Sequence, residues 1–108
     1  QWFENYDVLA CPVAIVPPFD ADIRYVERVG DHAFDNYVDW LYIAAAITLT
    51  GRPAISVPCG FTSSGLPVGL QLVGQPRGEA GLLSMAASAE EIFEVSSQLP
   101  IDPRPGAA

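Results

Sequence analysis

The sequence contains no lysine. Its five basic residues are all arginines, against thirteen aspartates and glutamates, which gives a formal net charge of −8 over 108 residues. Binding to nucleic acid or to an anionic membrane requires several clustered cations, and these arginines are scattered. The composition therefore argues against both kinds of partner. The missing lysine also excludes any mechanism in which a lysine of this chain acts as the catalytic base.

Cysteine and histidine are scarce as well. Cys11 and Cys59 lie in apolar runs, and His32 is the single histidine. We interpret the cysteines as buried free thiols of a cytoplasmic protein, because no C-x-x-C spacing indicates a zinc site. A thiolate pair of Cys59 with His32 would require both side chains to converge from separate elements. No G-x-G-x-x-G segment opens a helix, so we expect neither a metal nor a cofactor.

Long hydrophobic segments are also missing. The longest apolar stretch, residues 40–49, is half of the about 20 residues that a membrane-spanning helix needs. No basic segment followed by an apolar one indicates a signal peptide. The chain begins at Gln1 and its single methionine is Met85. We therefore expect that residues are missing upstream.

Apolar residues, by contrast, are abundant for so short a chain. They make up 50% of the sequence, and only 17% of the residues are charged. This composition is typical of a folded core and not of a disordered segment. The length suits one domain or part of one. We expect some of the apolar surface to be covered by other parts of a larger protein.

The order of apolar runs and turn residues predicts an α/β fold with few strands. The predicted elements are a strand at 8–11, an irregular connection at 20–31, a helix at about 32–49, a β-hairpin of strands 54–58 and 66–74, and a final helix at 79–93. The segment 1–98 is expected to form the folded part, followed by a proline-rich tail at 99–108. Both edges of so small a sheet would be open to other strands.

Helix boundaries and buried faces follow from local signals. Asp31 is predicted to cap the first helix, and Gly51 fits the left-handed position after its end. The buried stripe of this helix is predicted to comprise Phe34, Val38, Leu41, Ala45 and Thr48 or Leu49, widened by Tyr37, Trp40 and Ala44. The stripe of the final helix is predicted to comprise Leu82, Met85 or Ala86, Ala89, Ile92 and Phe93. Gly69 within the hairpin indicates a close backbone approach or a bulge.

Two short motifs have ordinary explanations. Ser63-Ser64-Gly65 suits a hairpin turn, because a nucleophilic serine would need a histidine or lysine beside it. The acidic residues Asp20, Asp22 and Glu27 lack the glycine and the closing glutamate of a calcium-binding loop, so we interpret them as solvated loop charges.

Two adjacent blocks carry a family resemblance. They are Thr50-Gly-Arg-Pro-Ala-Ile-Ser-Val-Pro-Cys-Gly60 and Gly65-Leu-Pro-Val-Gly-Leu-Gln-Leu-Val-Gly74. Together they resemble the C-terminal region of the amidase signature family. The run Asp7 to Pro12 looks like the preceding strand of that family, and residues 79–91 look like its final helix. The resemblance covers roughly residues 5 to 95.

The resemblance implies a large α/β domain with a mixed sheet flanked by helices. It also implies hydrolysis of amide C–N bonds other than peptide bonds. In this family a serine attacks the amide and a lysine acts as base. A second serine, in a cis peptide, bridges these two residues. None of these has a counterpart here, since Ser63 and Ser64 belong to the hairpin turn. We therefore assign no catalytic residue and expect the chain alone to be inactive, with the remainder of the amidase domain as its partner.

The resemblance also implies a wall of the substrate pocket. In the family, the helix before the G-x-P-A block borders the acyl site, which indicates Tyr37, Trp40, Leu41 and Ala45 as lining residues for a small-molecule amide. One alternative is a non-catalytic structural or interaction module derived from this fold. Another is part of the amidase subunit of a tRNA-dependent amidotransferase. We expect the isolated chain to self-associate through the open edges of its sheet.

Overall fold

The computed structural model describes residues 2–94 and 97. Helices and antiparallel strands are combined in one chain, which confirms the predicted α/β class. The elements are a 3₁₀ helix at Trp2–Glu4, strands β1 (Leu9–Cys11), β2 (Arg28–Val29) and β3 (His32–Ala33), helices α1 (Tyr37–Trp40) and α2 (Tyr42–Leu49), strands β4 (Ala54–Phe61) and β5 (Pro67–Val73), and helix α3 (Glu79–Phe93). The tail at 99–108 lies outside the described residues.

The main sheet has three antiparallel strands in the order β1-β5-β4. The predicted hairpin is confirmed: β4 and β5 pair along their length, with Ala54 opposite Val73 and Val57 opposite Leu70. The turn is closed by the backbone N–H of Thr62, which donates to the carbonyl of Leu66 at 2.8 Å. Since β5 lies in the middle, β1 and β4 are the two edges of this sheet.

The pairing slips by one residue within the hairpin. Pro58 is opposite Gly69, whereas Gly60 is opposite Val68, so Cys59 is the extra residue of a bulge in β4. Gly60 has φ +144, a value that side chains of other residues rarely allow. The bulge predicted around Gly69 is therefore present, on the partner strand.

One face of the sheet is covered by α3, and the core lies between them. The buried cluster comprises Val57, Leu72, Leu82 and Ala86, with Val8, Ile55, Leu70 and Ala89 packed against it. Leu82, Ala86 and Ala89 agree with the predicted stripe of α3. Ile92 and Phe93 were predicted as buried and are instead exposed, because the contact of α3 with the sheet ends near Ala89.

The first helix begins later than predicted. Its N-cap is Asn36, whose side-chain oxygen accepts the backbone N–H groups of Val38 and Asp39 at 2.9 and 3.2 Å. The prediction of Asp31 as the cap is wrong. Asp31 lies in the turn between β2 and β3, where its backbone carbonyl accepts from the side chain of Arg28 at 3.2 Å. The connection at 20–31 thus ends in a small hairpin.

The predicted continuous helix is also interrupted. Leu41 has φ −84 and ψ −1, and it separates α1 from α2. This break changes which side chains share a face, so the predicted buried stripe is wrong: Val38 is 71% exposed and Leu49 is 86% exposed. Neither helix contains a buried residue. Gly51, with φ +63, follows the end of α2 as predicted.

The helices described here are short. None of those within residues 2–94 is long and apolar enough to cross a membrane.

Candidate functional site

Two cavities meet at Trp40, the last residue of α1. The first, of about 540 Å³, is formed by the β2–β3 hairpin and the start of the helical segment. The second, of about 660 Å³, lies between residues 12–19 and the β4–β5 hairpin. Trp40 and Ile15 line both, so these two side chains form the wall between them. Both volumes fall within the range of about 300–1,000 Å³ that is usual for small-molecule sites.

Trp40 combines an aromatic environment with an unused hydrogen-bond donor. Its ring contacts Phe19, Tyr25 and Tyr37, with centroids 5.8, 6.5 and 5.9 Å away. The indole Nε1 is buried and has no hydrogen-bond partner among the described residues. Leaving a buried donor unsatisfied costs about 1–3 kcal/mol. The Trp40 N–H is therefore available to an acceptor from outside these residues.

The other three residues predicted for the pocket lie around Trp40 in different ways. Tyr37 is exposed and packs edge-on against Tyr25, with their ring centroids 5.8 Å apart. Leu41 is half-buried at the break between the helices, and Ala45 is exposed. None of the three lines either cavity at Trp40. Their role as pocket residues stays a prediction.

The first cavity also contains polar side chains that the sequence did not single out together. His32 packs edge-on against Phe34, with centroids 4.9 Å apart. Asp39 accepts a hydrogen bond from the Asn36 side-chain amide at 2.9 Å. The β2–β3 hairpin places His32 beside the helix start. No sequence signal marked this hairpin, since its strands have two residues each.

The two cysteines are free and half-buried, and they lie in different surroundings. The Cys11 thiol contacts the side-chain oxygen of Gln71 at 3.5 Å, on the adjacent strand. The Cys59 thiol contacts the carbonyl of Val68 at the same distance. Cys59 lines the second cavity and His32 the first, and no hydrogen bond joins them in the described part of the chain. The free thiols are confirmed, but they are less buried than predicted.

The serines of the hairpin turn have local partners. The hydroxyl of Ser64 is hydrogen-bonded to that of Thr62 at 2.9 Å, and Thr62 also accepts the backbone N–H of Leu66. Gly65 supplies the turn with φ +82. The interpretation of Ser63-Ser64-Gly65 as a hairpin turn is confirmed.

Comparison with known proteins identifies the family of the chain. The family described as Amidase matches residues 1–83, a range that contains both sequence blocks and Trp40. The chain belongs to the amidase signature family.

Relatives with curated names support the same assignment. The chain is 41% identical over 103 residues to a glutamyl-tRNA(Gln) amidotransferase subunit of Synechococcus sp. (strain CC9902), covering 94% of this chain and 19% of that protein. It is 43% identical over 98 residues to the protein of the same name from Moorella thermoacetica (strain ATCC 39073 / JCM 9320), covering 91% and 19%. The chain thus spans about a fifth of the length of these relatives.

Solved structures agree on the fold. A 6-aminohexanoate cyclic dimer hydrolase superposes with a TM-score of 0.65 and 26% identity, over 85% of this chain and 20% of the other. A bacterial aryl acylamidase of the amidase signature family superposes with a TM-score of 0.69 and 20% identity, over 92% and 22%. Both structural neighbours are amidase signature or hydrolase enzymes, and both extend well beyond the matched part.

Proposed function

We propose that this chain is the C-terminal segment of an amide hydrolase, which converts an amide and water to a carboxylic acid and ammonia or an amine. The observation that carries the proposal is the Amidase match over residues 1–83, which includes both hairpin blocks. The nucleophilic serine, the cis serine and the lysine base are supplied by the rest of the enzyme. The chain, which has no lysine, contributes sheet strands and a pocket wall.

The C-terminal placement is supported by the order of the elements. Strand β1, the β4–β5 hairpin and α3 follow one another as in the closing part of the family resemblance. Both edges of the sheet are unpaired within residues 2–94, which suits a segment that is completed by further strands. We place the protein in the cytoplasm because its two cysteines are free.

Trp40 is the proposed centre of the pocket wall. Its buried N–H lacks an acceptor among the described residues, and an amide carbonyl of the substrate is an acceptor of the right kind. The two cavities beside it offer room for the groups on either side of an amide. Tyr37, Leu41 and Ala45 would shape the same wall once the rest of the domain covers the helices.

A second candidate function is favoured by the names of the relatives. Several proteins 37–43% identical to this chain are called subunits of glutamyl-tRNA(Gln) amidotransferase. In that case the protein would act with other subunits on a charged tRNA. The acidic chain, with no basic cluster of its own, would leave contacts with the tRNA to those other parts.

The test compares the protein expressed from its natural gene with the isolated 108-residue chain. We expect the gene product to release ammonia from aliphatic or aromatic amides and to lose this activity with a serine-directed inhibitor. The isolated chain should release none. Inhibitor-sensitive turnover by the isolated chain would contradict the proposal, as would a gene that encodes neither a lysine nor a Ser-Gly-Ser-rich segment. Such a gene would favour a non-catalytic module.

Purification and activity assays of the gene product distinguish the two candidate functions. A stand-alone hydrolase acts on simple amides without partners. A component of an amidotransferase purifies with other subunits and amidates glutamyl-tRNA(Gln) only in their presence.

A further inference from the structure

Arg52, between α2 and β4, holds a positive charge in a partly buried position. Its guanidinium carbon lies 4.3 Å from the centre of the Phe3 ring. The Arg52 side chain is half-buried, and its Nη1 atom is buried without a hydrogen-bond partner among the described residues. The backbone of Arg52 is fixed by the Thr50 hydroxyl, which accepts its N–H at 3.3 Å. This arginine is therefore held in place with an unused donor.

A cavity of about 240 Å³ lies beside this guanidinium, on the face of the sheet away from α3. Besides Arg52 its lining is made of Trp2, Phe3, Leu9, Ile47, Thr50 and Val73. Val73 is 1% exposed, so the floor of this cavity is a buried apolar side chain. None of the described residues in this lining is acidic.

The physical chemistry of this arrangement calls for an anionic acceptor. A guanidinium is always charged in proteins, and its N–H groups point outward in the plane of the group. Phe3 contacts one face of that plane by a cation–π interaction, which leaves the buried Nη1 donor without a partner among the described residues. Burying a charged donor without a partner is costly. A carboxylate matches both the charge and the fork of the guanidinium.

We propose that Arg52 is the receptor for a carboxylate that comes from outside the described residues and occupies the cavity beside Phe3, Ile47 and Val73. The carboxylate has two sources: an acidic side chain of the longer protein, or a free small carboxylate. A cavity of this size admits either, since one of about 150 Å³ already binds benzene. This inference does not depend on amide hydrolysis, because the Arg52 cavity shares no lining residue with the two cavities at Trp40.

The first experiment measures the melting temperature of the gene product with R52Q and, as matched control, R28Q. Arg28 is exposed and donates to the Asp31 carbonyl, so both variants remove one charge but only R52Q empties the proposed site. If the carboxylate is an acidic side chain, we expect R52Q to lower the Tm clearly more than R28Q without any addition. If it is a free carboxylate, we expect the same difference in the presence of benzoate. An equal Tm for R52Q and R28Q under both conditions would overturn the proposal.

The dependence on pH separates a carboxylate from a neutral acceptor such as a backbone carbonyl. A carboxylate paired with Arg52 has its pKa lowered in the folded protein, so its stabilisation is present above the unfolded value of about 4 and is lost as the pH falls below it. The difference in Tm between the wild type and R52Q should therefore shrink from pH 7 to pH 3. A difference that stays constant over this range would contradict a carboxylate.

The two sources are distinguished by benzoate, with benzamide as its neutral analogue. If the source is a free carboxylate, benzoate raises the Tm of the wild type, benzamide does not, and R52Q weakens benzoate binding at least about tenfold. If the source is an acidic side chain, benzoate has no effect and R52Q alone is destabilised. Equal binding of benzoate and benzamide would overturn the free-carboxylate source.

Discussion

Gly69 and Ser56 lie so close across the β-hairpin that a Cβ atom added to Gly69 would stand 2.8 Å from the Ser56 hydroxyl oxygen. The two residues are diagonal neighbours on adjacent strands, since Gly69 pairs with Pro58 and Ser56 with Gln71. A G69A variant would force the Ser56 side chain to move. We expect it to reduce the free energy of unfolding by about 1 kcal/mol, measured by urea denaturation.

The control for G69A is its combination with S56A. Removing the hydroxyl removes the clash, so S56A/G69A should recover most of the lost stability. G65A is the matched comparison, because Gly65 has φ +82 and open space around it. G65A should lose stability because alanine is strained at this backbone conformation, so S56A should not restore the loss. A G69A protein as stable as the wild type would contradict the close approach.

Leu82 and Leu83 are neighbours on α3 with opposite surroundings. Leu82 is 5% exposed and packs in the core with Val57 and Leu72, whereas Leu83 is 59% exposed. Replacing Leu82 by alanine leaves a cavity under the helix, so we expect L82A to reduce the free energy of unfolding by about 2–5 kcal/mol. L83A should change it by less than about 0.5 kcal/mol. Similar denaturation midpoints for the two variants would show that α3 does not pack in this orientation.

The start of the first helix gives a second matched pair. Asn36 accepts two backbone N–H groups of α1, so N36A should reduce the free energy of unfolding by about 1 kcal/mol. The only described hydrogen bond of Asp31 uses its backbone carbonyl, which alanine retains. D31A should therefore be nearly neutral. If D31A lowered the Tm and N36A did not, Asp31 would be the helix cap after all.

The parts of the fold that could be predicted from sequence depend on local signals. The β4–β5 hairpin follows from two β-rich runs joined by Thr-Ser-Ser-Gly, and α3 follows from apolar residues at helical spacing. The helix start could not be decided in this way, because Asp31 and Asn36 are both good caps. The pairing of β2 with β3 decides it, and this pairing involves only two residues in each strand.

The candidate site depends more strongly on contacts between distant residues. The family resemblance indicated Trp40, but its unused N–H and its position between two cavities depend on where Ile15 and Phe19 pack. Arg52 belongs to one of the two sequence blocks that carry the family resemblance. Its burial against Phe3 joins residues nearly fifty positions apart, which no local pattern predicts.

The role of Trp40 is tested by W40F in the gene product. Phenylalanine keeps an aromatic ring in the wall but removes the N–H, which already lacks a partner among the described residues. If the N–H binds a substrate carbonyl, kcat/KM for an amide should fall about tenfold, equivalent to about 1.4 kcal/mol. The Tm should change little. Unchanged kcat/KM, or a loss of activity that follows a loss of folded protein, would indicate that Trp40 only fills space.

The open edge of β4 leads to a prediction about association. Ala54, at the start of this strand, is exposed, and the far side of β4 has no partner strand within residues 2–94. We expect the isolated chain to associate with increasing concentration in sedimentation velocity. A54K places a charge on this edge and should shift the chain toward monomer. S63K adds the same charge in the hairpin turn and should leave association unchanged, so equal effects of the two variants would indicate general charge repulsion. A wild-type chain that stays monomeric at all concentrations would contradict pairing through β4.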